Sequence, residues 1–158
     1  MRTWITNVDR RFIFSTINPL WAACVLDGFI PEKVILITGK NLERKTGSIR
    51  TWLTSIIQGY GKEPVFEECM VDEDDINSYS TSFIDLIEKE KGNEIALDIT
   101  PGRKFMSAIM MSGGIKMKIS RVYYLHLKDY SFVDRPFVII PLACQKLKNI
   151  VELVERKK

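Results

Sequence analysis

Residues 94–108 read EIALDITPGRKFMSA. Glu94 to Ile99 is short, apolar and rich enough in β-branched residues for a buried strand. Thr100-Pro101-Gly102 is a tight turn. Arg103 to Met111 follows as a helix, with Gly113-Gly114 as its stop. A strand that passes through a polar turn straight into a helix is half of a βα unit, so the flanking sequence can be tested for the other halves.

Both flanks supply further strand and helix segments. Upstream, Arg11 to Ile17 (RFIFSTI) reads as a buried strand. Asn18 then suits an N-cap and Pro19 a first helical position, with Leu20 to Leu26 helical and Gly28 as the stop. Lys33 to Thr38 (KVILIT) is a second strand, and Gly39 to Gly47 a polar, basic loop. Ile49, Trp52, Leu53, Ile56 and Ile57 share one helical face, ended by Gly59 and Gly61. Glu63 to Glu68 is an edge strand, since Pro64 cannot donate to a ladder. Asp72 to Asp75 open a helix carrying Ile76, Phe83, Ile84 and Ile87, where acids complement the helix dipole. Downstream, Ser120 to Leu127 is a strand, Phe137 to Ile140 a last short strand, and Ala143 to Arg156 a closing helix.

Strict alternation of this kind predicts an α/β fold. The expected form is a Rossmann-like three-layer sandwich with a mainly parallel sheet and helices on both faces. Right-handed crossovers leave a strand order of about 3-2-1-4-5 with a sixth strand at one edge. The 158 residues suit a single domain, with a core over about 10–141 and the closing helix over 143–156.

Composition excludes several classes. Hydrophobic residues at 46% and charged residues at 27% rule out disordered and fibrous chains. No apolar run is long enough to span a membrane, and residues 1–10 lack a signal-peptide core, so a cytoplasmic location is expected. Cys24, Cys69 and Cys144 form no CxxC, which argues for free thiols and against a metal centre. His126 is the single histidine and reads as an ordinary strand residue. No cofactor is expected, because G-x-G-x-x-G and G-x-x-x-x-G-K-[ST] are both missing. The run Asp72-Glu73-Asp74-Asp75 does not fit a calcium loop. Net charge is +3, which does not announce direct DNA binding. Residues 63–94 hold eleven acids against two lysines, while 103–128 hold six bases and no acid. That segregation points either to one anion-welcoming surface or to ordinary solvated faces.

In open α/β sheets, ligands sit beyond the strand carboxyl ends where strand order reverses. The two loops there are Ser15-Thr16-Ile17-Asn18 and Asp98 to Lys104. The second has phosphate-site chemistry. Gly102 lets N–H groups approach an anion, and the helix near Arg103 aims free N–H groups at the same spot. Thr100 offers a hydroxyl, Arg103 a fork and Lys104 a point charge, while Asp98 can cap the turn. The loop Lys40, Glu43, Arg44, Lys45 also follows a strand end and is either a lid or a surface loop. Met106, Met110 and Met111 are packing residues. Lys116 and Lys118 fall on the opposite rim.

Asp98, Thr100, Gly102, Lys104, Met106 and Ala108 are similar to the signature after the fourth strand of CARF domains, the CRISPR-associated Rossmann fold. Pro31 to Thr38 resembles the family's second strand and lead-in, and Ser15-Thr16 its first strand end. The first loop, Ile17-Asn18-Pro19, is shorter than in many members. The resemblance implies a ligand, the cyclic oligoadenylates of type III CRISPR defence, with cyclic tetra-adenylate the first candidate. It implies a homodimer holding the ring across its twofold axis, as a sensor with an effector protein partner or as a metal-independent ring nuclease. Ser15, Thr16, Asn18, Asp98, Thr100, Pro101, Gly102, Arg103 and Lys104 would then bind ligand. Lys104 would face the developing phosphate charge, and Ser15 or Thr16 would hold or orient the ribose or phosphate in any cleavage. No general base is evident. The reading outside the family is an α/β domain for another nucleotide or phosphate ligand.

Overall fold

A computed structural model describes residues 1–156. Six strands form one sheet: β1 (Arg2–Asn7), β2 (Lys33–Thr38), β3 (Val65–Met70), β4 (Glu94–Asp98), β5 (Arg121–Leu127) and β6 (Gln145–Asn149). Five helices accompany them: α1 (Ile13–Asp27), α2 (Glu43–Gln58), α3 (Ile76–Lys89), α4 (Lys104–Lys116) and α5 (Ile150–Glu155). The strand order is β3-β2-β1-β4-β5-β6, parallel except for β6, which pairs antiparallel with β5. This is the expected Rossmann-like α/β sheet with its order reversal between β1 and β4.

The first strand corrects the sequence reading. β1 is Arg2–Asn7 (RTWITN), starting nine residues upstream of the expected RFIFSTI, and it sits centrally between β2 and β4. Its neighbouring residues pack on opposite faces. Trp4 belongs to the cluster with Leu20, Leu36 and Leu53, under α1 and α2. Ile5 belongs to the cluster with Phe83, Leu97 and Met110, under α3 and α4. A strand buried on both faces needs no polar alternation, so Thr3 and Thr6 disguise it. The expected core over 10–141 therefore starts too late.

RFIFSTI instead enters α1, and Pro19 lies inside that helix. Asn18 is not its N-cap. The start is set by Asp9, whose Oδ1 accepts the N–H groups of Arg11 (2.8 Å) and Phe12 (2.7 Å). A mid-helix proline costs about 3 kcal/mol. Complete burial of Ile17 and Leu20 on either side offsets this, each worth roughly 2 kcal/mol. Gly28 ends α1 as expected, at φ 64 with its N–H on Ala23.

Other boundaries also shift. α2 starts at Glu43, so only the first part of 39–47 is loop. α4 runs through Gly113-Gly114, because each glycine lets another group approach: a Cβ on Gly113 would meet Phe83 at 2.7 Å, and one on Gly114 would meet Leu97 at 2.8 Å. Phe137–Ile139 is a single 3-10 turn rather than a strand. The expected closing helix 143–156 divides into β6 and the short α5, divided by Asn149, whose side chain accepts from Val151 N–H. Among the described residues no helix is long and apolar enough to cross a membrane.

Candidate functional site

β1 and β4 stay paired to Thr6 and Asp98, and the segments that follow them meet at that end, where Gly102 packs against Asn7. The turn after β4 is built from below. Asp98 is fully buried; its Oδ1 accepts the N–H of Thr100 at 2.9 Å and its Oδ2 the hydroxyl of Thr6 at 2.8 Å. Burial pushes its carboxyl up to about 7, against the pull of the bonds from Thr100 and Thr6. Thr100 Oγ1 accepts the N–H of Leu125 at 2.9 Å, and Ser107 Oγ donates to the Ile99 carbonyl at 2.9 Å. The turn is thus tied to β1, β5 and α4.

Gly102 crosses the top of this turn at φ 97, a conformation that favours glycine. A Cβ there would lie 3.1 Å from Asn7 Cβ. Asn7 is itself held, accepting from Tyr79 Oη at 2.8 Å and donating to Met110 Sδ at 3.0 Å. Among the described residues the N–H groups of Gly102 and Arg103 have no protein acceptor. α4 starts immediately after, so its free N–H groups and positive dipole end share this position with exposed Lys104.

The other loop differs from the sequence expectation. The segment after β1 is Val8 to Phe12, and it supplies Arg10 and Arg11. These residues were missed because the strand before them was missed. Of the expected loop residues, half-buried Ser15 and buried Asn18 border the cavity beside the turn. Thr16 is buried and braces the true loop, donating to the Asn7 carbonyl at 3.1 Å and accepting Asp9 N–H at 3.0 Å. Asn18 is also buried. It donates to the Arg135 carbonyl at 2.8 Å and accepts Phe137 N–H at 2.9 Å, clamping the β5–β6 connection onto α1. Pro101 is buried under the turn.

The acidic run also behaves differently from a separate acidic surface. It follows β3 on the same rim and reaches the basic loops. Arg10 pairs with Glu73, Arg103 Nη1 lies 2.8 Å from Asp74 Oδ1, and Lys45 donates to the Arg10 carbonyl. Glu73 sits so close to Gly39 that a Cβ there would clash. Charges on this rim are therefore interleaved, and Lys104 is outside these pairs.

Beside the turn lies a cavity of about 190 Å³, bordered by Phe14, Ser15, Thr100, Tyr124, Phe132 and Val133. Among the described residues no charged side chain lines it. Its polar groups include the Ser15 and Thr100 hydroxyls. Pro19 lacks an N–H, so the Ser15 carbonyl has no helical partner here. The arrangement suits one planar, uncharged ring next to a phosphate seat. A larger hollow of about 380 Å³ opens on the opposite rim near Lys91 and Lys118, away from the strand switch. Among the described residues no three His, Cys, Asp or Glu side chains are placed to hold a metal.

The family model described as the Card1 CARF domain matches residues 25–137. Among solved structures, Enterococcus italicus Csm6 bound to cyclic hexa-2'-fluoro-hexa-dAMP has a similar fold, with a TM-score of 0.65 at 12% identity. That similarity covers 99% of this chain and 44% of that one, so the chain spans less than half of its length. No curated protein sequence matches.

Proposed function

The chain belongs to the Card1 CARF domain family, and on that premise we propose that it binds cyclic oligoadenylate, with cyclic tetra-adenylate as its ligand in type III CRISPR defence. The observation that carries this reading is the turn 98–104. It offers N–H groups without acceptors and Lys104 at a helix start, beside an uncharged cavity with aromatic walls. A cyclic oligonucleotide presents the same pair of needs at every unit, an anion and a planar base. Csm6 from Enterococcus italicus, which shares the fold, was solved with a cyclic hexa-nucleotide analogue.

In this reading a phosphate sits on the Gly102 and Arg103 N–H groups with Lys104 as point charge. Charge-assisted bonds of this kind are worth about 1.5–3 kcal/mol each. The base enters the cavity between Phe14 and Tyr124, near the Ser15 and Thr100 hydroxyls. Two copies related by a twofold axis duplicate every donor around the ring, so the ligand-bound form is a homodimer. Such a dimer acts as a sensor for an effector protein partner. Asp98, the site carboxyl with the raised pKa, is sealed below the turn and already bonded to Thr6 and Thr100. It cannot reach a ribose. That placement favours holding the ring over opening it, and any opening would rely on Lys104 and Ser15 alone.

Calorimetry with cyclic tetra- and hexa-adenylate tests this. The tetra-adenylate ring should bind more tightly, with one ring per two chains, and Lys104→Ala should weaken it about tenfold or more. Binding of neither ring would overturn the reading in favour of another phosphate ligand. Chromatography of the ring after incubation with chelator separates the two modes. Intact ring supports the sensor, and linear product the ring nuclease.

A further inference from the structure

β5 and β6 carry a second surface that shares only Tyr124 with the ring site. In their antiparallel register Tyr124 lies opposite Lys148 and His126 opposite Lys146. Directly opposed residues share one face of a sheet, and residues two apart on a strand share it too. Tyr124, His126, Lys146 and Lys148 therefore stand together. Tyr123 and Leu125 point to the other face, into the α1 side of the core. Tyr124 is 38% exposed and His126 is also exposed. Their rings are 6.3 Å apart and inclined by 34°. Lys128 continues the same row one step beyond His126.

The cations here are crowded rather than paired. Lys146, then burial and the fields of Arg156 and Lys128, hold the Lys148 ammonium below its ordinary pKa. Among the described residues none of Lys128, Lys146 and Lys148 forms an ion pair. Of the two acids on α5, Glu152 and Glu155, the first is turned to Asn149 and Arg156. Lysines alone would suit a guarded edge strand, since β6 ends the sheet. Edge protection does not call for two exposed rings between them. Rings at this separation on an open sheet face, bordered by unpaired ammonium groups, match the spacing of successive bases and the charge of their phosphates.

We propose that the exposed face of β5 and β6 binds a single-stranded nucleic acid, with bases stacked on Tyr124 and His126 and phosphates on Lys128, Lys146 and Lys148. This site is separate from the turn 98–104 and does not depend on the ring-binding reading. The net charge of +3 conceals it, because the acids that balance the total lie mostly in 63–94. Tyr124 also borders the cavity beside the turn, so the test uses other residues.

Fluorescence anisotropy with labelled twelve-nucleotide RNA and DNA of mixed sequence tests it. Both strands should bind, and log K should fall against log salt with a slope of about −2 for three phosphate contacts. Lys146→Gln with Lys148→Gln should bring that slope up by about 1.4 units. His126→Ala should weaken binding at least about fivefold through lost stacking, with the salt slope unchanged. All three positions are on the surface, and an unchanged melting temperature confirms that the variants fold. Lys104→Ala should leave strand binding intact. Absent binding at low salt, equal binding of a duplex, or loss in Lys104→Ala but not in the lysine pair would each overturn the proposal.

Discussion

The two rims of the sheet treat charge in opposite ways. On the amino rim, Glu90 is buried at 2% exposure and fully partnered. It accepts Lys33 Nζ at 2.5 Å, Asn93 Nδ2 at 2.9 Å and the Thr3 hydroxyl at 3.3 Å. Lys33 also reaches Glu67 at 3.0 Å, and Glu67 reaches Lys89 at 2.6 Å. On the carboxyl rim, among the described residues, N–H groups at Gly102 and Arg103 stay open and Lys104 is unpaired. Of the ion pairs there, Arg103 with Asp74 is solvated, while the Glu73 carboxylate paired with Arg10 is largely buried against Gly39. One rim spends its charges on holding strands together and the other keeps donors in reserve. That contrast, more than the fold, marks where an anion goes.

The largest effect should come from breaking the closed rim. Glu90→Ala leaves half-buried Lys33 with Glu67 as its one remaining carboxylate and removes the acceptor for three donors. Breaking one side of a buried pair costs about 3–5 kcal/mol. Chemical denaturation should show that loss, while ring affinity measured on the folded fraction stays within about twofold. Equal losses of stability and affinity would erase the distinction between the rims. Next comes Gly102→Val on the open rim. It forces a β-branched residue to φ 97 and drives a Cβ toward Asn7. Strain of about 1–3 kcal/mol is expected, and the turn must move to relieve it. Here ring affinity should fall more than tenfold even where the protein remains folded. Wild-type affinity in this variant would show that the turn does not hold the ligand.

The sequence revealed the open rim unevenly. The turn after β4 was legible because each residue type has a local reason: Asp98 to cap, Gly102 for positive φ, Arg103 and Lys104 at a helix start. The strand order was legible from element alternation and crossover handedness. The loop after β1 was not. RTWITN carries threonines that face other backbone and side-chain groups inside the sheet, whereas RFIFSTI is apolar because it starts a buried helix. Short apolar runs do not separate strand from helix by periodicity, and Pro19 supplied a false helix start. Asp9 followed by two N–H partners was the signal that could have corrected this, since Asp is a strong helix-initiating residue. The role of Asn18 was invisible for another reason. Its partners, Arg135 and Phe137, are more than a hundred residues away.

Asp98 joins the rims to pH. Its folded pKa of about 7 lies above the ordinary 3.8 of an unfolded chain. Between those values the folded protein keeps a proton that the unfolded chain has lost. The stability from this group is full below about pH 4, declines as pH rises toward 7, and is level above. Asp98→Asn preserves both bonds, with Oδ1 accepting from Thr100 and Nδ2 donating to Thr6, and it does not titrate. The variant should therefore gain on wild type between about pH 5 and pH 8, by on the order of 2 kcal/mol. Parallel melting curves across that range would show that Asp98 is ionised throughout.

The smallest effect probes the open rim from its acidic side. Asp74 is 79% exposed and Arg103 52% exposed, so their pair is worth about 0.2–1 kcal/mol. In the absence of ligand this pair turns the Arg103 guanidinium toward α3. A phosphate on the turn competes for the same guanidinium and also meets the repulsion of the Asp74 carboxylate. Asp74→Asn removes both effects and leaves the backbone of the turn alone. Ring affinity should then rise about two- to fivefold, with stability nearly unchanged. Both charges face solvent, so the gain should shrink at high salt, where surface fields are screened within a few ångströms. The corresponding change on the closed rim, Glu67→Gln, should not raise ring affinity at any salt. A gain from Glu67→Gln would mean that total charge governs binding, while a gain from Asp74→Asn alone makes the arrangement around Arg103 the determinant.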